Sequence, residues 1–248
     1  MIEEDQLGEE LGRGGYGVVF ALKTNPELVV KISSKKSNCR VWSDEFNKIK
    51  KTMSRIEDDT FYNNLKYVKI LEPIEFMENE DQLCFMLMPR IYRPDKQNGP
   101  TIQTIFGEKS MNVIHKGRGQ FIGLEQIKEF IPEENIKKVV YELGIAMGLI
   151  HFVGKNDGYD IEVFLGLEYK TKKVKCYIAD FDLTESISKY DKETMNRMLW
   201  SLEAVQYFPL SNNKELFDSF IKGYTKVGVE ADINRDVLEY IISEYTDY

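Results

Sequence analysis

Five acidic side chains crowd two short stretches of this chain. Asp157, Asp160 and Glu162 follow the apolar run Leu149-Ile150-His151-Phe152-Val153, and Asp180 and Asp182 flank Phe181. Carboxylates gathered at one point hold a divalent cation, accept a proton, or do both. The residues between the two stretches predict how they meet. Val163 to Leu165 and Val174 to Ala179 alternate like the arms of a hairpin, with Lys170-Thr171-Lys172-Lys173 as its turn. Such a hairpin would deliver Asp180 and Asp182 toward the first acidic stretch.

A second chemical signal lies near the N-terminus. Leu11-Gly12-Arg13-Gly14-Gly15-Tyr16-Gly17 carries glycines at the spacing G-x-G-x-x-G. Glycine loops that cradle phosphate either open a helix or lie within a hairpin. Here Val18-Val19-Phe20 follows, so a hairpin is expected. The next strand, Leu28-Val29-Val30-Lys31-Ile32, carries one lysine among apolar residues. A cation buried in a strand costs free energy unless it meets a partner. The bland reading is a lysine snorkelling from a strand end.

Around these groups the chain predicts regular elements. Trp42, Phe46, Ile49 and Met53 repeat at helical spacing over 40–56, which places Asp44 and Glu45 early in an amphipathic helix. Either acid could reach Lys31; Glu45 is preferred, and both also suit the first turn of a helix dipole. Tyr67 to Leu71, Ile74 to Met77 and Cys84 to Met88 read as two or three further strands. Residues 92–100 are polar and marked by proline and glycine, so a boundary is expected there, dividing the chain into 1–91 and 92–248. Ile102 to Phe106 and Met111 to Ile114 suggest a small hairpin, and His115 to Gly119 a solvated basic turn. Pro132 with Glu133 and Glu134 starts a helix whose apolar face runs through Val139, Val140, Leu143, Met147 and Ile150, with Gly144 and Gly148 allowing close packing. Three more helical patterns cover Met195–Ala204, Leu216–Tyr224 and Asp232–Tyr245.

Bulk properties narrow the function classes. The chain has 248 residues and a net charge of −8, a field that disfavours polyphosphate backbones and therefore nucleic acid. Three cysteines, Cys39, Cys84 and Cys176, stand far apart without a C-x-x-C pair, so neither a disulfide framework nor a zinc site is expected. The acidic start, Met1-Ile2-Glu3-Glu4-Asp5, does not resemble a signal peptide. No segment approaches the roughly 18 apolar residues of a membrane span. A reducing, cytoplasmic setting is the expectation.

Taken in order, these segments resemble the protein-kinase-like superfamily: glycine loop, lysine strand, acidic helix, hinge, catalytic loop, metal-binding aspartate. The motif style is closest to aminoglycoside- and choline-kinase-like phosphotransferases, with Phe217-Asp218-Ser219-Phe220-Ile221-Lys222-Gly223-Tyr224 similar to their F-x-x-G-Y stretch. Asp157 to Gly166 also resembles the D-x-x-D-x-E-F-V-L-G motif of an uncharacterised kinase-like family best known from fungi, with Phe-Val reversed as Val163-Phe164. The resemblance implies an α+β, two-lobed kinase-like fold, ATP and Mg²⁺ as cofactors, and phosphoryl transfer to a hydroxyl of a small molecule or an unusual protein target. Gly12, Gly14, Gly15, Gly17 and Lys31 would hold the phosphates, Glu45 would position Lys31, and adenine would lie against the backbone near Leu87 and Met88. Asp157 would orient the acceptor, with Asp160 competing for that role, and Asp180 and Glu162 would bind metal. His151 would be a structural hydrogen-bonding post. Three departures stand out: Glu162 replaces the usual asparagine, no His-Arg precedes Asp157, and Asp182 replaces the glycine of D-F-G. These favour an alternative, a pseudokinase serving as a nucleotide-binding or protein-interaction module; a kinase-fold nucleotidyltransferase is a second alternative.

Overall fold

The structure is a computed structural model that describes residues 2–79, 83–95, 101–107, 112–115, 119–203 and 207–247. It is an α+β protein with a five-stranded antiparallel sheet at its N-terminal end and helices after it. In that sheet, β1 (Leu7–Arg13), β2 (Gly17–Leu22) and β3 (Leu28–Ser33) run in sequence, and β3 pairs next with a strand from further along the chain. The turn between β1 and β2 closes with a Gly14 N–H to Gly17 carbonyl bond of 2.9 Å. Its trailing end is pinned because the Asn38 amide donates to the Tyr16 carbonyl at 2.8 Å.

Helix α1 (Cys39–Ile56) crosses from one core to another. Its first turns pack Cys39 and Trp42 against the first sheet, whereas Ile49, Met53 and Ile56 belong to the large core beyond it. A short helix, α2 (Thr60–Asn63), capped by Asp59, leads to β4 (Val68–Ile70). The first sheet is then completed by β5 (Glu75–Glu78) and β6 (Cys84–Pro89), in the order β1-β2-β3-β6-β5.

The remaining strands are β7 (Ile102–Ile105), β8 (Asn112–His115), β9 (Gly119–Gly123), β10 (Glu162–Leu167) and β11 (Val174–Ala179). With β4 they form a second sheet, ordered β4-β11-β10-β7-β9-β8. Two expectations are corrected here. The strand 68–70 lies within the segment 1–91 assigned to the N-terminal unit, yet it runs parallel to β11, with Cys176 opposite Val68. Val68 and Ile70 bury their side chains while Lys69 stays exposed, and that pattern suits one packed face in either sheet. The small hairpin expected between 102–106 and 111–114 is also absent: β9 lies between them, parallel to β7 and antiparallel to β8. The polar segment after β6 is tied down at its start, where Leu167 donates to the Tyr92 carbonyl at 2.7 Å. Residues 96–100, 108–111 and 116–118 lie outside the described residues, and with them most of the expected basic turn.

The cysteines provide a third correction. Cys39 and Cys84 form a disulfide, their Cα atoms 5.3 Å apart. One opens α1 and the other opens β6, so the packing of α1 across the sheet brings together residues separated by 45 positions. The expectation of a reducing compartment loses the support it drew from cysteine usage. Cys176 is free and buried, and burial pushes its thiol well above the usual range.

The helical part begins with α3 (Leu124–Ile127) and α4 (Glu133–Gly148), and α4 continues into a π-helical turn over Leu149–Val153. Buried Glu142 on α4 accepts the backbone N–H groups of Lys66, Tyr67 and Val68, which fixes the entry to β4. The tail forms α5 (Lys192–Glu203), α6 (Lys214–Glu230) and α7 (Arg235–Asp247), close to the three predicted helices. Among the described residues no helix is long and apolar enough to cross a membrane.

Contact between α4 and α6 depends on two glycines. A Cβ on Gly144 would meet the Phe220 carbonyl, and one on Gly223 would meet the Tyr141 carbonyl. Both obstacles are backbone, so relief requires the helices to part. Gly144→Ala is expected to lower stability by about 1–3 kcal/mol, the cost of overpacking a close contact. Urea unfolding would read this directly, and an unchanged midpoint would mean the helices adjust freely.

Candidate functional site

Lys31 sits in the middle of β3, opposite Val19 of β2 and Met86 of β6. Its ammonium lies 4.9 Å from the centre of the Trp42 ring and 3.3 Å from Glu45 Oε2. Glu45 is buried because it shares the inward face of α1 with Trp42 and Ile49. Asp44, one residue earlier on the helix, points to solvent. The lysine therefore pairs with Glu45.

The β10–β11 hairpin brings the other carboxylates to this point. Glu162 opens β10 directly opposite Ala179, the last residue of β11, so Asp180 follows beside it. Phe181 is fully buried in the large core and anchors the turn, while Lys48 of α1 donates to the Asp182 carbonyl at 3.0 Å. Asp160 and Asp180 adopt positive φ angles of 63° and 65°. Aspartate tolerates that region better than most residues, and strained backbone tends to collect where a site needs particular directions.

The charges explain each other. Burial pulls the Lys31 ammonium down, but Glu45 and Asp180 together more than offset this and hold it above the usual lysine value. One cation cannot serve every carboxylate nearby. Burial lifts Asp180 well above the carboxylate range, with Glu45, Glu162 and Asp182 adding to the rise against the pull of Lys31. Burial likewise pushes Glu162 up to about 7, despite a hydrogen bond from Gln103, and Asp160 and Asp182 add to it. Asp160 is raised by burial and then by Asp182. The buried Tyr207 phenol faces Glu162, Asp160 and Asp180; burial and these three hold it neutral. The cluster gathers more carboxyl groups than its lysine can hold ionised.

Asp157, expected to orient the acceptor, is bonded through both of its oxygens. It is 2% exposed, and its Oδ1 accepts the backbone N–H groups of Tyr159 and Glu185 at 3.1 and 2.9 Å. Its Oδ2 is held by the Arg197 guanidinium from α5. With both oxygens engaged, Asp157 braces the loop. Neighbouring Asn156 bonds Thr52 and Thr184, which ties the same loop to α1. His151 is fully buried between Tyr224 (2.8 Å) and Ser201 (3.2 Å), and burial lowers its imidazole to about 3. It stands neutral, as a post between α6 and α5.

The four glycines divide into two groups. A Cβ at Gly12, Gly14 or Gly15 would meet nothing within 4 Å, so this turn borders open space. Gly17 is a packing residue: a Cβ there would meet the Ile32 carbonyl and approach Trp42 at 2.6 Å. Along β6, Leu87 is enclosed, paired with Val30 on one side and Glu75 on the other, while its carbonyl accepts from Ile74 at 2.8 Å. Its backbone is not open to an adenine edge. Pairing with β5 stops there, so Met88 is the first residue beyond it.

Several residues at the site escaped sequence reasoning. Lys48 was legible in retrospect, one helical turn from Glu45 on the same face. Gln103 gave no local signal, since polar Thr104 follows it in the same short strand. Arg197 and Tyr207 gave no signal, since each arrives from the distant tail. Among the described residues, no three histidine, cysteine, aspartate or glutamate side chains form a metal-holding group by themselves. No family model matches the chain, and no curated protein matches it either.

Proposed function

We propose that the protein is an ATP- and Mg²⁺-dependent phosphotransferase with a two-lobed, kinase-like arrangement, acting on a hydroxyl of a small molecule or an unusual protein target. The observation that carries this reading is Lys31, buried between Glu45 of α1 and the carboxylates of the β10–β11 hairpin, on the strand beside an open glycine turn. A lysine held charged by a helix carboxylate is preorganised to meet phosphate oxygens. Gly12, Gly14 and Gly15 leave room for phosphates to approach the backbone, and Met88 marks where a base would lie.

The donor set suits Mg²⁺. This ion takes one or two carboxylates and keeps several waters and phosphate oxygens, so it does not require three protein ligands. Asp180 and Glu162 are the residues that would hold it, and a cation there would favour the ionised carboxylates that burial disfavours. Bound there, the ion would neutralise charge on the transferring phosphoryl group. Asp160 takes the role first considered for Asp157. Its carboxyl is raised by burial and is free of the clamp that holds Asp157, so it is the group to accept the acceptor's proton as the new O–P bond forms and ADP leaves.

The pseudokinase reading draws on the sealed Asp157 and on Glu162 in place of asparagine. A thermal-shift titration with ATP, with and without Mg²⁺, separates the two. A ligand at a hundredfold excess over its Kd stabilises the folded state by about 2.7 kcal/mol. A Mg²⁺-dependent shift that is lost in Asp180→Ala supports phosphoryl transfer. An equal shift without metal points to a nucleotide-binding module, and no shift rejects nucleotide binding altogether.

A further inference from the structure

Gln103 is 2% exposed, and its side-chain oxygen has no hydrogen-bond partner among the described residues. Its neighbours explain where it points. Gln103 lies on β7 directly opposite Phe164 of β10, and Glu162 is two residues before Phe164 on the same face of β10. Gln103 and Glu162 are therefore diagonal cross-strand neighbours, a spacing that long side chains bridge. The Gln103 amide donates to the Glu162 carboxylate. Only one end of the amide is used. A buried carbonyl without a donor costs free energy, and an apolar residue of similar shape would avoid that cost, as Ile102 and Ile105 do in the same strand. The neutral Tyr207 phenol faces the same carboxylates from the tail.

We infer that Gln103 is a positioning residue for a hydrated divalent cation: its amide N–H fixes the Glu162 carboxylate, and its unpartnered carbonyl accepts a hydrogen bond from a water carried by the ion. The inference rests on the metal-dependent reading above and adds a residue to it. Hydrogen bonds that orient a ligating carboxylate typically change metal affinity 10- to 100-fold when removed. Mg²⁺ suits this arrangement because it retains much of its water shell, and those waters need acceptors.

The test is a Mg²⁺ titration at fixed ATP, read by thermal shift, on the wild-type protein, Gln103→Met and Gln103→Asn. Gln103→Met keeps the volume and removes both polar ends. It should melt no lower than wild type without ligand, and it should need about 10- to 100-fold more Mg²⁺ for a half-maximal shift. Gln103→Asn keeps the amide one methylene short of Glu162 and should fall between the two. A half-maximal Mg²⁺ concentration for Gln103→Met within about twofold of wild type overturns the role of Gln103 alone. Loss of the fold in both variants overturns it as well, because Gln103 would then be structural. A wild-type protein that responds to ATP without any Mg²⁺ dependence overturns this inference together with the phosphotransfer reading, and leaves nucleotide binding standing.

Discussion

Lys31→Met should lower stability by about 3 kcal/mol at neutral pH, toward the lower end of the range for breaking a buried ion pair from one side. Methionine fills much of the lysine's volume and keeps contact with Trp42, so the loss is electrostatic. Glu45, with its side chain 4% exposed, would face Asp180 and Asp182 with only the more distant Lys48 to oppose them. The lysine side chain is itself 21% exposed, and that partial solvent access keeps the cost from the upper end. Glu45→Leu in the same background should recover much of the loss, because it removes the uncompensated charge. Chemical denaturation of the two single variants and the double variant gives the coupling directly. Additive effects, or a single-variant loss below about 0.5 kcal/mol, would show that Lys31 and Glu45 share a geometry without sharing energy. The same Lys31→Met protein should also lose its response to ATP, which links the pair to the proposed chemistry.

How much of this was legible depends on how far apart the partners lie. The first sheet could be read because its strands are rich in β-branched and aromatic residues and its turns carry glycine, asparagine and proline. Lys31 announced itself as a lone charge in an apolar strand, and Glu45 lay on the inward face of a helix with a clear repeat. The tail helices were equally plain. What stayed hidden required contacts across the chain. Asp157 has the position of a catalytic aspartate in sequence, but Arg197, 40 residues later, closes over it. The Cys39–Cys84 disulfide depends on how α1 lies across β6. The strand at Val68–Ile70 has a pattern that suits either sheet, and only its parallel pairing with β11 decides which. Gln103 gains its meaning from the register of β7 against β10, which no local signal specifies. Local pattern located the carboxylates, and long-range packing determined which of them remain unclamped.

Glu162→Gln should make the ligand-free protein more stable above neutral pH, by about 3 kcal/mol at pH 8. In the folded state the Glu162 carboxyl is pushed up from its ordinary 4.5 to about 7, chiefly by burial. The folded state therefore binds the proton more tightly than the unfolded chain. The stability this provides is fully present below about pH 4.5 and is lost as pH rises toward 7, at about 1.4 kcal/mol per unit. Glutamine removes the titration, so the variant's stability should stay level across that window where the wild type declines. Its amide can also donate to the free Gln103 carbonyl while accepting from the Gln103 N–H, which pairs both ends of a side chain left half-satisfied in the wild type. Unfolding measured from pH 5 to pH 8 would show the two curves converging in acid and separating in base. Parallel curves would mean that Glu162 is solvated and does not contribute to the buried cluster. With ATP and Mg²⁺ the order should reverse, since a cation would favour the ionised carboxylate that glutamine cannot provide. A residue that destabilises the empty protein and stabilises the loaded one is retained for its ligand. That reversal separates a functional carboxylate at the start of β10 from one that is merely buried there.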